Sequence, residues 1–103
     1  MAHIGIIAEE NAGDVLRDLY RRYRAPWGGM DNILAIHSQL PETLPPHVAL
    51  YKQLMFAQGP LSRRHRELIA TVVSAANRCD YCIHHHSDAL DRVTRDRALV
   101  RTV

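Results

Sequence analysis

Prolines and glycines punctuate this 103-residue chain so often that only short elements fit between them. Pro26, Gly28-Gly29, Pro41, Pro45-Pro46 and Gly59-Pro60 are the breaks. Between them apolar residues recur at helical spacing, and no stretch alternates apolar with polar over a strand length. The expected fold class is therefore all-α, a short helical bundle. At 11.7 kDa the chain fits one domain, residues 1–103, with N-terminal helices over 1–60 and a helical hairpin and tail over 61–103. Composition excludes several classes. The chain is 47% hydrophobic and 23% charged, which is not the signature of disorder. No apolar run approaches the roughly 18 residues of a membrane span, so no membrane partner is expected. The start, Met1-Ala2-His3-Ile4, lacks the pattern of a signal peptide, so the expected location is cytoplasmic. A net charge of +2 is too weak to argue for nucleic acid.

The helices can be placed from local signals. The first is expected over about 11–24, with Val15, Leu16, Leu19, Tyr20 and Tyr23 as its apolar face. Pro26-Trp27-Gly28-Gly29 ends it in a packed turn, and a short apolar turn follows at 33–36. Another helix is expected to start at Pro45-Pro46, present Val48, Leu50, Tyr51, Leu54 and Met55, and stop at Gly59-Pro60. Ser62 has the position of an N-cap for the strongest helix, 63–77. Its apolar set of Leu68, Ile69, Val72, Val73, Ala75 and Ala76 predicts a largely buried element. Arg63, Arg64 and Arg66 crowd its first turn, against the helix dipole, and read as a solvated end, with a binding or subunit contact as the alternative. Asn77-Arg78 is a break. A further helix is expected from about Cys79 or Asp80 to Val93, and Thr94 is placed to cap a last short one.

The chemistry concentrates between Glu67 and His86. Cys79 and Cys82 are the two cysteines of the chain, and they form a CxxC. A disulfide across two intervening residues closes almost no loop, so redox or metal chemistry is a better reason for the pair than stability. Cys79, Cys82 and His86 fall on one helical stripe, continued by Ile83 and Leu90. An imidazole one turn from Cys82 can relay a thiol proton. The helix start favours a thiolate there. Two such sulfurs suit peroxide reduction: one becomes a sulfenic acid, the other condenses with it. A hairpin turning at Asn77-Arg78 would set Glu67 level with 86–90, within about one turn (~6 Å) of His86. His84 and His85 point away from the Cys82 stripe and read as surface residues, His85 also as a possible pocket wall. The competing reading is a zinc site built on Cys79, Cys82 and one of His84, His85 and His86. It lacks a fourth local ligand.

The pattern Glu67-x11-Cys79-x2-Cys82-x3-His86 resembles the catalytic signature of the AhpD-like alkylhydroperoxidases, within the carboxymuconolactone decarboxylase superfamily. Trp27-Gly28-Gly29, Leu50-Tyr51 and Leu61-Ser62-Arg63-Arg64 before Glu67-Leu68-Ile69-Ala70 resemble its peroxidase-related branch. The resemblance runs over about residues 8–93. It implies an all-α chain, a hydroperoxide substrate, no metal or organic cofactor, a trimer or hexamer, and a dithiol reductant such as a lipoylated protein. It also implies roles. Cys82 would react with peroxide, Cys79 would resolve the sulfenic acid, His86 would deprotonate Cys82, and Glu67 would complete the relay. Tyr81 stands where the archetype has a His, so the relay and reductant are open to differ. Family chains also continue for several helices beyond the motif, whereas this one ends at Val103. That predicts either a truncated product or subunit contacts in place of the lost packing, and an inactive oligomeric remnant is the third reading.

Overall fold

A computed structural model describes residues 2–103. Among these residues the regular structure is entirely helical, with no strand. Six α-helices follow in order: α1 (Asp14–Arg22), α2 (Asn32–Ala35), α3 (Leu44–Phe56), α4 (Arg63–Ala76), α5 (Asp80–Thr94) and α6 (Arg97–Thr102). The chain divides into two compact units, 1–50 and 51–103.

In the first unit the apolar side of α1 is the organiser. Leu16 and Tyr20 cluster with Ala12, and Leu19 clusters with Leu44 and Val48. The Tyr20 hydroxyl donates to the Ile7 carbonyl at 2.5 Å, and the Ile7 amide donates to Ser38 Oγ at 2.9 Å. These bonds tie the N-terminal segment over the cluster. Val15, expected on the apolar face, is instead exposed, because it lies to one side of the Leu16–Leu19–Tyr20 stripe. α1 is also shorter than expected, a separate 3-10 turn occupying Glu9–Asn11. Trp27 remains 69% exposed and its ring covers Gly29, where any Cβ would overlap it. Gly28 carries the positive φ of 97° that the turn requires. Burial, then the neighbouring His47, pushes the proton affinity of His37 below the ordinary imidazole value. The unfolded chain therefore binds this proton more readily. The neutral-His37 contribution to stability is present above about pH 6.5 and is lost as pH falls through the folded value.

The second unit is built on the α4–α5 hairpin. Ser62 caps α4 as expected, its Oγ accepting the His65 amide at 3.2 Å. The chain reverses at Asn77–Cys79 with Arg78 in the left-handed region, φ 53°. α5 ends at Arg95, also left-handed, φ 54°. The last helix is capped by Asp96, which accepts the Leu99 amide at 3.0 Å. Thr94 does not fill that place: its hydroxyl donates to the Leu90 carbonyl at 2.7 Å.

The packing of α4 reverses the sequence expectation. Its buried residues are Glu67, Thr71 and Ser74, spaced i, i+4, i+7. Ile69, Val72 and Val73, expected inside, are about half exposed. The two buried hydroxyls are satisfied within α4 itself. The Thr71 hydroxyl donates to the Glu67 carbonyl at 2.8 Å, and the Ser74 hydroxyl donates to the Ala70 carbonyl at 2.6 Å. Both are thereby satisfied within their own helix and present a small, nearly apolar surface. The apolar residues sit roughly opposite this stripe on a helix of 3.6 residues per turn. The same holds after Val48 on α3, where Leu50, Tyr51 and Leu54 are exposed.

Leu90 on α5 is 0% exposed and is the buried hydrophobic anchor of the second unit. Leu90→Ala is expected to destabilise the chain by about 2–5 kcal/mol. Denaturant unfolding measures this, and a change under about 0.5 kcal/mol would mean Leu90 is not a core residue.

Candidate active site

The N-terminus of α5 carries the cysteines. Cys79 is the N-cap and Cys82 lies in the first turn. The backbone amide of Cys82, one of the donors a helix start leaves unpaired, donates to Cys79 Sγ at 3.3 Å. Cys79 and Cys82 are joined as a disulfide, with their Cα atoms 5.2 Å apart. That separation lies within the usual span of a disulfide-bonded pair.

One turn further along α5, half-buried His86 meets Glu67 of α4. His86 Nδ1 lies 2.9 Å from Glu67 Oε2. The Glu67 side chain is 1% exposed, so its carboxylate depends on protein partners rather than water. A carboxylate only accepts, so Nδ1 donates to it, and in a neutral imidazole so oriented the lone pair is on Nε2. The sequence spacing set these residues within about a turn; in the folded hairpin they are in direct contact.

The other oxygen of Glu67 is engaged by Arg63, one turn earlier on α4. This contact is an ion pair without an aligned hydrogen bond. The Arg63 guanidinium also donates to the Met55 carbonyl at 3.3 Å and stacks over the Phe56 ring at 4.0 Å. Arg66 donates to the carbonyls of Leu61 at 3.0 Å and Leu54 at 3.3 Å. Arg63 and Arg66 therefore do not form a simple solvated end. They oppose their own helix dipole but satisfy the last carbonyls of α3, whose negative end favours them. Sequence reading missed the pairing of Arg63 with Glu67, although their i, i+4 spacing is the usual signal of an ion pair.

The remaining histidines of this stretch stand apart from that pair. His84 faces Asp88 at 3.6 Å, both exposed, and the His85 ring packs on Tyr81 at 4.3 Å between centroids. Among the described residues no three His, Cys, Asp or Glu side chains converge as a metal-ligand set. No described helix is long and apolar enough to cross a membrane.

A helical hairpin with a bridged CxxC at the start of its second helix, beside a buried Glu–His pair, defines a class of all-α protein with a dithiol site. The carboxymuconolactone decarboxylase family matches residues 41–99, more than half of the chain, and the chain belongs to that family. No curated protein matches it.

Proposed function

We propose that the chain is a thiol-dependent hydroperoxide reductase acting through Cys82, Cys79, His86 and Glu67. The observation that carries this reading is the buried Glu67 carboxylate bonded to His86, one turn along α5 from a sulfur that bridges to Cys79. His86, its Nδ1–H held by Glu67, takes the thiol proton of Cys82 through Nε2, directly or by way of water. The thiolate attacks a peroxide oxygen. An S–O bond forms, the O–O bond breaks, and the alcohol or water leaves with the proton, so Cys82 becomes a sulfenic acid. The Cys79 sulfur then attacks that sulfur. An S–S bond forms, the S–O bond breaks, and water leaves. A dithiol reductant, for which a lipoylated protein is suited, is oxidised to its own disulfide while the pair returns to two thiols. The cycle requires neither a metal nor an organic cofactor. Reduced protein treated with a hydroperoxide is expected to lose two thiols per chain and to regain them with a dithiol donor. Thiols inert to peroxide would overturn the proposal and favour an inactive remnant.

The same reading includes a homo-oligomer, a trimer or hexamer. Its support is the exposed apolar stripe of Ile69, Val72 and Val73 on α4. Light scattering on the purified protein is expected to give a multiple of the chain mass, and a monomer at working concentration would overturn it.

A further inference from the structure

The geometry points to Arg63 as a positioning residue that sets the protonation of the Glu67–His86 pair, an inference that rests on the redox reading above. The two oxygens of the buried Glu67 carboxylate are divided between two basic side chains. Oε2 meets His86 and Oε1 meets Arg63. Arg63 is held from behind as well: the Met55 carbonyl accepts its N–H and the Phe56 ring lies beneath its guanidinium. The junction of α3 and α4 thereby reaches into the relay.

On α4, Arg63 faces the carboxylate, whereas Arg66 is turned to the Leu54 and Leu61 carbonyls. On α5, His86 faces it, whereas His84 is directed to Asp88 and His85 to Tyr81. The end of α3 contributes the Met55 carbonyl and the Phe56 ring to Arg63. With Arg63 in place, Oε2 accepts from His86 while Oε1 faces the guanidinium charge, and a single proton suffices for the pair, on His86 Nδ1. Nε2 is then available as a base. Without Arg63, the buried carboxylate has one partner left. The pair then holds a second proton to higher pH, either on Nε2 or on Glu67, and the base is lost over that range.

The test uses the full chain in two states. Histidine ring nitrogen-15 spectra are followed against pH in the disulfide form, where no turnover occurs. Thiol oxidation by hydrogen peroxide is followed against pH in the reduced form. Arg63→Met keeps an apolar stem over Phe56 and removes the charge. It is expected to move the His86 titration upward by about one pH unit or more. The thiol-oxidation profile should move the same way, and Arg63→Lys should restore most of the shift. In a Glu67→Gln background, Arg63→Met should leave the His86 titration nearly where it was, because the effect passes through the carboxylate. If Arg63→Met does not fold, Arg63→Gln takes its place, since its amide can still donate to the Met55 carbonyl. A His86 titration unmoved by either neutral variant would overturn the inference, as would an equal shift with and without Glu67. The peroxidase reading fails separately: a shifted titration in a chain whose thiols ignore peroxide upholds the placement of Arg63 and overturns only that reading.

Discussion

A Cys82→Ser chain is expected to lose no thiol to peroxide, where the native reduced chain loses two. A serine hydroxyl one turn from His86 is far too weak a nucleophile at neutral pH to break an O–O bond, whereas a thiolate is an effective one. The remaining Cys79 thiol has its sulfur at the N-cap and accepts the residue-82 amide, so it is also placed to gain from the helix start. That makes the experiment informative about which sulfur acts. If sulfenic acid forms at the native rate in Cys82→Ser, Cys79 is the peroxide-reactive sulfur and the assigned roles are exchanged. The reciprocal Cys79→Ser chain is expected to react once and stop, with a sulfenic acid trapped at Cys82, because no second thiol can expel water from it.

The second large effect is at His86. An asparagine there places a side-chain amide close to where Nδ1 donates to Glu67, so the buried carboxylate keeps a partner while the base at Nε2 disappears. His86→Asn is expected to slow thiol oxidation at neutral pH by about 10²- to 10⁴-fold, the usual contribution of a positioned acid–base group. The deficit should shrink as pH rises past the ordinary thiol value of about 8.5, where the thiolate forms unaided. A deficit that stays constant with pH would show that His86 does not act as the base. His86→Leu is expected to differ in another way. It strands Glu67 Oε2 in a site that is 1% exposed, and folding stability should fall by roughly 1–3 kcal/mol in addition to the loss of rate.

The elements readable from sequence share one property: their signals are complete within a turn or two of chain. Ser62 reads as a cap because its Oγ need reach only three residues ahead, and the helix it begins was expected to end one residue beyond its actual end at Ala76. The start of α5 at the cysteines is equally local. Thr94 was misread for a related reason. A hydroxyl and a carboxylate two residues apart both suit a cap, and only the backbone path decides that Asp96 fills it. The burial of α4 was not legible at all. Periodicity shows that Leu68, Ile69, Val72 and Val73 share a broad face, but it does not say that the adjacent helix packs elsewhere. A stripe of Glu, Thr and Ser has none of the apolar character that marks a core face. It becomes buried because two hydroxyls close on their own helix and the carboxylate finds a basic side chain on each side.

By itself, then, the sequence determined the helical class of this chain, the spacing of Glu67, Cys79, Cys82 and His86, and the hairpin that makes them neighbours. Propensity, capping and the 3.6-residue period are properties of short stretches, and they survive without knowledge of the rest of the fold. The tertiary structure decided which face of α4 turns inward, that Glu67 touches His86 directly, and that Arg63 shares the carboxylate. These depend on how closely two helices approach and on which partners a buried charge meets, and neither is encoded in any single turn of the chain.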